Sequence, residues 1–219
     1  MTSDHGPEVR REVAGIRIPD SSLALEAEEV VRESSPRCLL NHAFRTYLFG
    51  ELLGRSRKLK YDSELLFVGA VMHDLGLTEK FVGQERFEVD GADAAQTFLA
   101  QRGVSDEKNA VVWDAIALHT CVGIADRKRP EIALVHFGAG IDVAGLRLEE
   151  VEVPDINEVL QAYPRLDFAK VFLESIARVL REKPHTAALN FAADVGKRFI
   201  PAFQALNFCD LVISAPFSE

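Results

Sequence analysis

The sequence predicts an all-α fold, a helical bundle, and two features predict it. Helical periodicity recurs along nearly the whole chain, and the one short alternating run, residues 146–153 (LRLEEVEV), has no obvious partner run. Ser, Asp, Gly and Pro also fall where helix starts and stops require them. With 219 residues, 47 % hydrophobic and 27 % charged, the chain is long enough for one sizeable core. The expected organisation is a mobile N-terminal segment over residues 1–15 and a single domain over residues 16–219.

Ser22 reads as the cap of a first helix over residues 22–32. A second helix covers residues 38–53 with Gly54 closing it, and Ser63 opens a third, filled with Leu65, Leu66, Phe67, Val68, Ala70, Val71 and Met72 until Gly76 stops it. Residues 92–102 form the next helix, ended by Gly103, and Ser105 caps one that runs to residue 120. Pro130 suits the first turn of a helix carrying Ile132, Leu134, Val135 and Ile141. Asp155 opens a short helix that ends before Pro164; Asp167 caps an amphipathic one through residue 182, terminated by Pro184. The sequence contains no internal repeat, low-complexity tract or long linker.

Composition narrows the function classes. A net charge of -9 repels a polyanion, which argues against duplex nucleic acid or an anionic membrane as the general partner. No apolar run is long enough to cross a bilayer, the first residues lack the apolar core of a secretory signal, and a cytoplasmic location is expected. Cys38, Cys121 and Cys209 are odd in number and form no C-x-x-C pair, so they read as ordinary thiols rather than a disulfide framework or a thiolate zinc site. The oligomeric state stays open, a homo-oligomer included.

Chemistry enters where polar residues interrupt apolar helices. His42 stands in LLNHAFRTYLF, His73 and Asp74 in FVGAVMHDLG, and Asp142 in EIALVHFGAGIDVAG. A buried carboxylate without a partner costs several kcal/mol, and one divalent cation held by two imidazoles and two carboxylates satisfies all four groups together. That donor set suits Zn, Fe, Mn, Ni or Co. Taken singly, a His or Asp at a helix end is more often an ordinary satisfied polar group than a ligand.

The ordered pattern His42, His73-Asp74, Asp142 resembles the HD superfamily of metal-dependent hydrolases, whose order is H…HD…D. The segments HDLGLT, RFEVDGADAA, WDAIALHT and PEIALVHFGAGIDVAG are similar to the cyanamide hydratase-like branch, and the likeness covers residues 41–145. It implies an HD-domain helical bundle that binds one divalent ion, Zn in the first place, through His42, His73, Asp74 and Asp142. By the same resemblance Asp74 also orients the nucleophile, and His119 is a pocket acid/base that passes a proton to the substrate nitrogen. Thr78, Phe87 and His136 are expected substrate contacts, although His136 reads equally as a histidine bonded to backbone. A second ion between the HD pair and the last aspartate remains open. His5 and His185 receive no role.

The implied activity is that of a hydro-lyase: metal-activated water hydrates a small nitrile-like substrate such as cyanamide, giving urea. Many phosphohydrolases of the superfamily carry HD-x-GK, but Leu77 occupies the lysine position here. Lys80 stands on the following turn, where a lysine is usually solvated, and Leu77, Phe81, Phe87 and Trp113 read either as an apolar pocket wall or simply as core. The alternative is a phosphohydrolase acting on a phosphomonoester or nucleotide; a non-catalytic HD-like scaffold is a third reading.

Overall fold

The computed structural model describes residues 10–217, and among these it contains ten α-helices and one two-stranded sheet. The all-α expectation holds. The sheet is a hairpin of β1, Glu12–Val13, and β2, Ile16–Arg17, antiparallel with Val13 opposite Ile16. Its two-residue turn places Ala14 at φ 50° and Gly15 at φ 65°, the left-handed pair that a tight hairpin with the right twist requires. Val13, Ile16 and Ile18 are fully buried in the main core. The expected mobile segment therefore reaches too far: its part over residues 12–15 belongs to the hairpin, while residues 1–9, His5 among them, lie outside the described residues. Two residues per strand give no alternation long enough to register in a sequence.

The helices follow as α1 Ser22–Ser34, α2 Arg37–Ser56, α3 Ser63–Met72, α4 Phe87–Ala100, α5 Asp106–Ala117, α6 Pro130–Ala144, α7 Val153–Ala162, α8 Phe168–Glu182, α9 Ala192–Phe199 and α10 Phe208–Ile213. Caps explain most starts. The side chains of Ser21, Asp62 and Ser105 accept hydrogen bonds from first-turn amides of α1, α3 and α5, and Pro130 opens α6 where its missing N–H has no intrahelical partner anyway. Several expected boundaries move. α2 continues through Gly54 because the left-handed turn that ends it falls on Lys58, at φ 53°. α4 starts at Phe87 rather than at residue 92, since the Asp90 carboxylate accepts the Gly83 and Glu85 amides and folds the preceding loop onto the helix. Asp167 does not cap α8 with its side chain; it sits at φ 59° and forms no cap hydrogen bond. α9 and α10 were not expected.

α2 and α6 are the central pair, with α3 packed against both and α5 and α4 stacked beyond it. The pair approaches closely because Gly138 offers no Cβ: one built there would stand 2.0 Å from the Thr46 carbonyl oxygen. Gly138→Ala is expected to force the two helices apart and cost about 1–3 kcal/mol, the range for overpacking a tight core, measured as a shift in the urea midpoint at unchanged m. Full stability in that variant is the contrary outcome. The main core gathers Phe44, Leu48, Leu66, Phe67 and Met72; a smaller one joins Leu77 and Phe87 to Ile176, Leu180 and Val195 of α8 and α9. No described helix is long and apolar enough to cross a membrane.

Candidate metal centre

His42 lies on α2, and His73 and Asp74 follow directly on the last turn of α3, which gives way to a 3-10 turn over Leu75–Leu77. All three are buried. Their donor atoms form a small triangle. His42 Nε2 stands 3.1 Å from His73 Nε2, His73 Nε2 stands 3.3 Å from Asp74 Oδ2, and His42 Nε2 stands 3.5 Å from the same oxygen. For metal–ligand bonds of about 2.0–2.1 Å a tetrahedral face has edges of about 3.3 Å, so the triangle matches one face of a coordination polyhedron.

The hydrogen bonds at the far side of each ring leave the donors of the triangle free. His73 Nδ1 is 2.7 Å from the Ala70 carbonyl, so that nitrogen carries the hydrogen and Nε2 keeps its lone pair. His42 Nδ1 is held 2.6 Å from Asp142 Oδ2, leaving its Nε2 to face the triangle. Both Asp74 oxygens are buried with no hydrogen-bond partner among the described residues. Two imidazole nitrogens and an unpaired carboxylate meeting this closely suit a positive centre placed among them. Burial also lowers the His73 pKa from its ordinary value, outweighing the raising effect of the Asp74 charge, which favours the neutral, metal-ready ring. His42, His73 and Asp74 form a buried group able to hold a metal ion.

Asp142 is where the expected ligand set must be corrected. It lies on α6 in contact with His42, but at Nδ1, on the side of the ring opposite the triangle. Both of its oxygens are committed: Oδ1 accepts from Arg45 Nε at 2.7 Å and from Arg165 at 2.9 Å, and Oδ2 accepts from the second arm of Arg45 at 2.7 Å. Burial alone would raise its pKa, yet the hydrogen bonds and charges of His42 and Arg45 hold it well below the usual carboxylate range. Asp142 thus fixes the tautomer and orientation of His42 and is no member of the donor triangle. Phe168 completes the support, stacked on the His42 ring at a centroid distance of 4.5 Å.

His119 follows α5 in the turn over residues 118–120, with Nδ1 donating to the Ile116 carbonyl at 2.7 Å and Nε2 lying 3.9 Å from Asp74 Oδ1. Burial, reinforced by His73, pushes its pKa down to about 3 against the opposing pull of Glu88. The ring is therefore a neutral acceptor at Nε2, not a ready acid. His136 on α6 anchors Nδ1 on the His119 carbonyl at 2.7 Å and, with His42, His73, Asp74 and His119, lines a cavity. All four histidines are tethered through Nδ1 to an oxygen.

Other expected contacts lie elsewhere. Thr78 is buried outside the cavity lining and donates its hydroxyl to the Leu75 carbonyl, closing the 3-10 turn. Phe87 packs its ring edge against His119 from behind, in the smaller core, and does not line the cavity. Lys80 pairs with Glu33 at the surface, Trp113 donates its indole N–H to Asp93, and Leu77 and Phe81 belong to the cores. The apolar wall is instead built from α6, α8 and the segment before α9, by Val143, Phe172 and Phe191 among others. Sequence reasoning missed these residues, and it also missed Arg45. The available signal for Arg45 was a guanidinium three residues after His42 inside the largely apolar stretch CLLNHAFRTYLFG.

No protein-family model matches this sequence, and no curated protein matches it.

Proposed function

We propose that this protein is a metal-dependent hydrolase or hydratase of HD type that adds water to a small uncharged nitrile-like substrate, with cyanamide, which would give urea, as the simplest case. The reading joins the H…HD pattern to one observation above all: an unpaired buried carboxylate, Asp74, closes a triangle with two imidazole nitrogens whose spacing suits a single ion. Zinc is the first candidate, because two histidines and a carboxylate with an open position make a common catalytic zinc site; the same donors also serve iron, manganese, nickel or cobalt. A divalent ion bound there supplies Lewis acidity, bringing the pKa of water towards neutrality.

The protein's own groups supply the rest. His42 and His73 orient the ion through Nε2, and Asp142 keeps His42 in the tautomer that leaves Nε2 free. Asp74 combines ligation with orientation of the attacking water. His119, neutral at rest, presents Nε2 as a hydrogen-bond acceptor that orients the attacking water from the side of Asp74 Oδ1.

The phosphohydrolase alternative draws no support from the cavity. Among the described residues that line it none is lysine or arginine, so a phosphate dianion would face the Asp74 carboxylate without a cationic side chain opposite. The deciding experiment uses the full chain purified without added metal. Metal content is measured, then urea release from cyanamide and phosphate release from a nucleotide panel are assayed in parallel. Stoichiometric metal with urea release is expected. Phosphate release alone would transfer the protein to the phosphohydrolase class, and a metal-free protein inactive in both assays would favour the binding scaffold.

A further inference from the structure

The cavity above the donor triangle has a volume of about 310 Å3 and two unlike ends. The inner end holds His42, His73, Asp74, His119 and His136. The outer end is formed by Val122, Ala139, Val143, Leu146, Phe172 and Phe191, brought together from four separate parts of the chain. Those walls stay apolar where they meet solvent: Val122 is 78 % exposed, Leu146 53 % and Val143 42 %. A continuous apolar rim on a concave surface marks a ligand groove rather than an ordinary protein surface.

Size makes the point sharper. A volume of 310 Å3 holds about ten water-sized groups, whereas cyanamide contains only three heavy atoms. A substrate that small would leave most of the chamber wet against valine, leucine and phenylalanine. Charge restricts the occupant further, since no lysine or arginine lines the chamber and its one acid, Asp74, sits at the inner end.

We infer that the substrate of this centre carries an uncharged apolar tail of about six to eight carbon-sized atoms behind the group that reacts, as an alkyl or aryl nitrile does. The inference rests on the hydration reading for the identity of the head group alone. The reaction balances without a co-reactant: the oxygen of water bonds to the nitrile carbon, both hydrogens end on nitrogen, and R–CN becomes R–C(O)NH2. The head reaches the imidazole end, and the tail lies between α6 and the two phenylalanines.

Two measurements on the metal-loaded full chain separate the tail from the chemistry. Binding of the primary amides from acetamide to octanamide is followed by calorimetry; turnover of cyanamide and of the nitriles from acetonitrile to octanenitrile is followed by product chromatography. Kd is expected to fall about fourfold for each added CH2 up to roughly six carbons and then level off. In Val143→Asp and Leu146→Asp, both at solvent-exposed positions, that dependence should flatten while metal content stays at the wild-type level. Amide binding independent of chain length, or no amide binding at all, overturns the tail even if cyanamide is hydrated. A steep length dependence in binding without turnover of any nitrile upholds the tail and overturns hydration instead.

Discussion

Asp74→Asn is expected to lose its metal and its turnover and yet to be more stable than the wild type when both are metal-free. The carboxylate is buried with neither oxygen hydrogen-bonded, so without an ion it is a net cost to the fold. An amide has nearly the same shape, carries no charge and can donate an N–H towards His42 or His73 Nε2. Urea unfolding in the presence of a chelator should show a gain of about 1–3 kcal/mol. Elemental analysis should show the ion falling from near stoichiometric to background, because one of three donors is gone. A variant that keeps both ion and rate removes Asp74 from the centre. One that is destabilised in chelator shows that the carboxylate was already satisfied.

Arg45→Met should be among the most damaging single changes in the molecule. The guanidinium is fully buried, binds both oxygens of Asp142 and donates to the Tyr163 and Pro164 carbonyls at 2.9 and 3.2 Å. Its loss leaves the buried Asp142 carboxylate with only His42 and Arg165 as partners, and breaking a buried pair in this way usually costs about 3–5 kcal/mol. His42 also loses the rigid partner of its Nδ1, so metal affinity should drop about 10–100-fold in whatever fraction still folds. The double change Arg45→Met with Asp142→Leu should recover much of the stability, since no charge is stranded, and none of the affinity. Recovery of affinity as well would show that Asp142 does not orient His42.

Acid titration reads the same pair. Asp142 has its pKa lowered in the folded protein from an ordinary 3.8, so the unfolded chain takes up its proton first as pH falls. The stability it contributes is complete above pH 3.8 and drains away below that value as pH falls towards the folded pKa. Asp142→Asn should flatten this acid limb of the stability curve, and an unchanged limb would mean that the charge is not held by Arg45 and His42.

How far the sequence reveals this site depends on what each residue signals. His42, His73 and Asp74 were legible because a polar residue inside an apolar helix must be satisfied by something, and three such residues on two helices invite a shared partner. Asp142 sends the same signal but has a different partner. Weighing carboxylates against imidazoles left out the guanidinium of Arg45, on the same helix as His42, and the guanidinium satisfies the carboxylate that a metal was expected to satisfy. Caps and first-turn proline placed α1, α3, α5 and α6 to within a residue or two at their starts. The cavity wall was not legible, because Phe172 and Phe191 lie 98 and 117 positions beyond Asp74 and reach it by tertiary packing, and local periodicity says only that such positions are apolar.

The span between Nδ1 of His42 and the carboxylate that steadies it is a hundred positions along the chain, across the tight packing of α6 on α2. The support of His42 by Asp142 exists only once α6 has docked onto α2, so a half-assembled chain would offer an ion a weaker site. An ion held by His42, His73 and Asp74 would act as a ligand of the native state alone and add RT ln(1 + [L]/Kd) to its stability, so that its depletion would make the fold itself easier to lose.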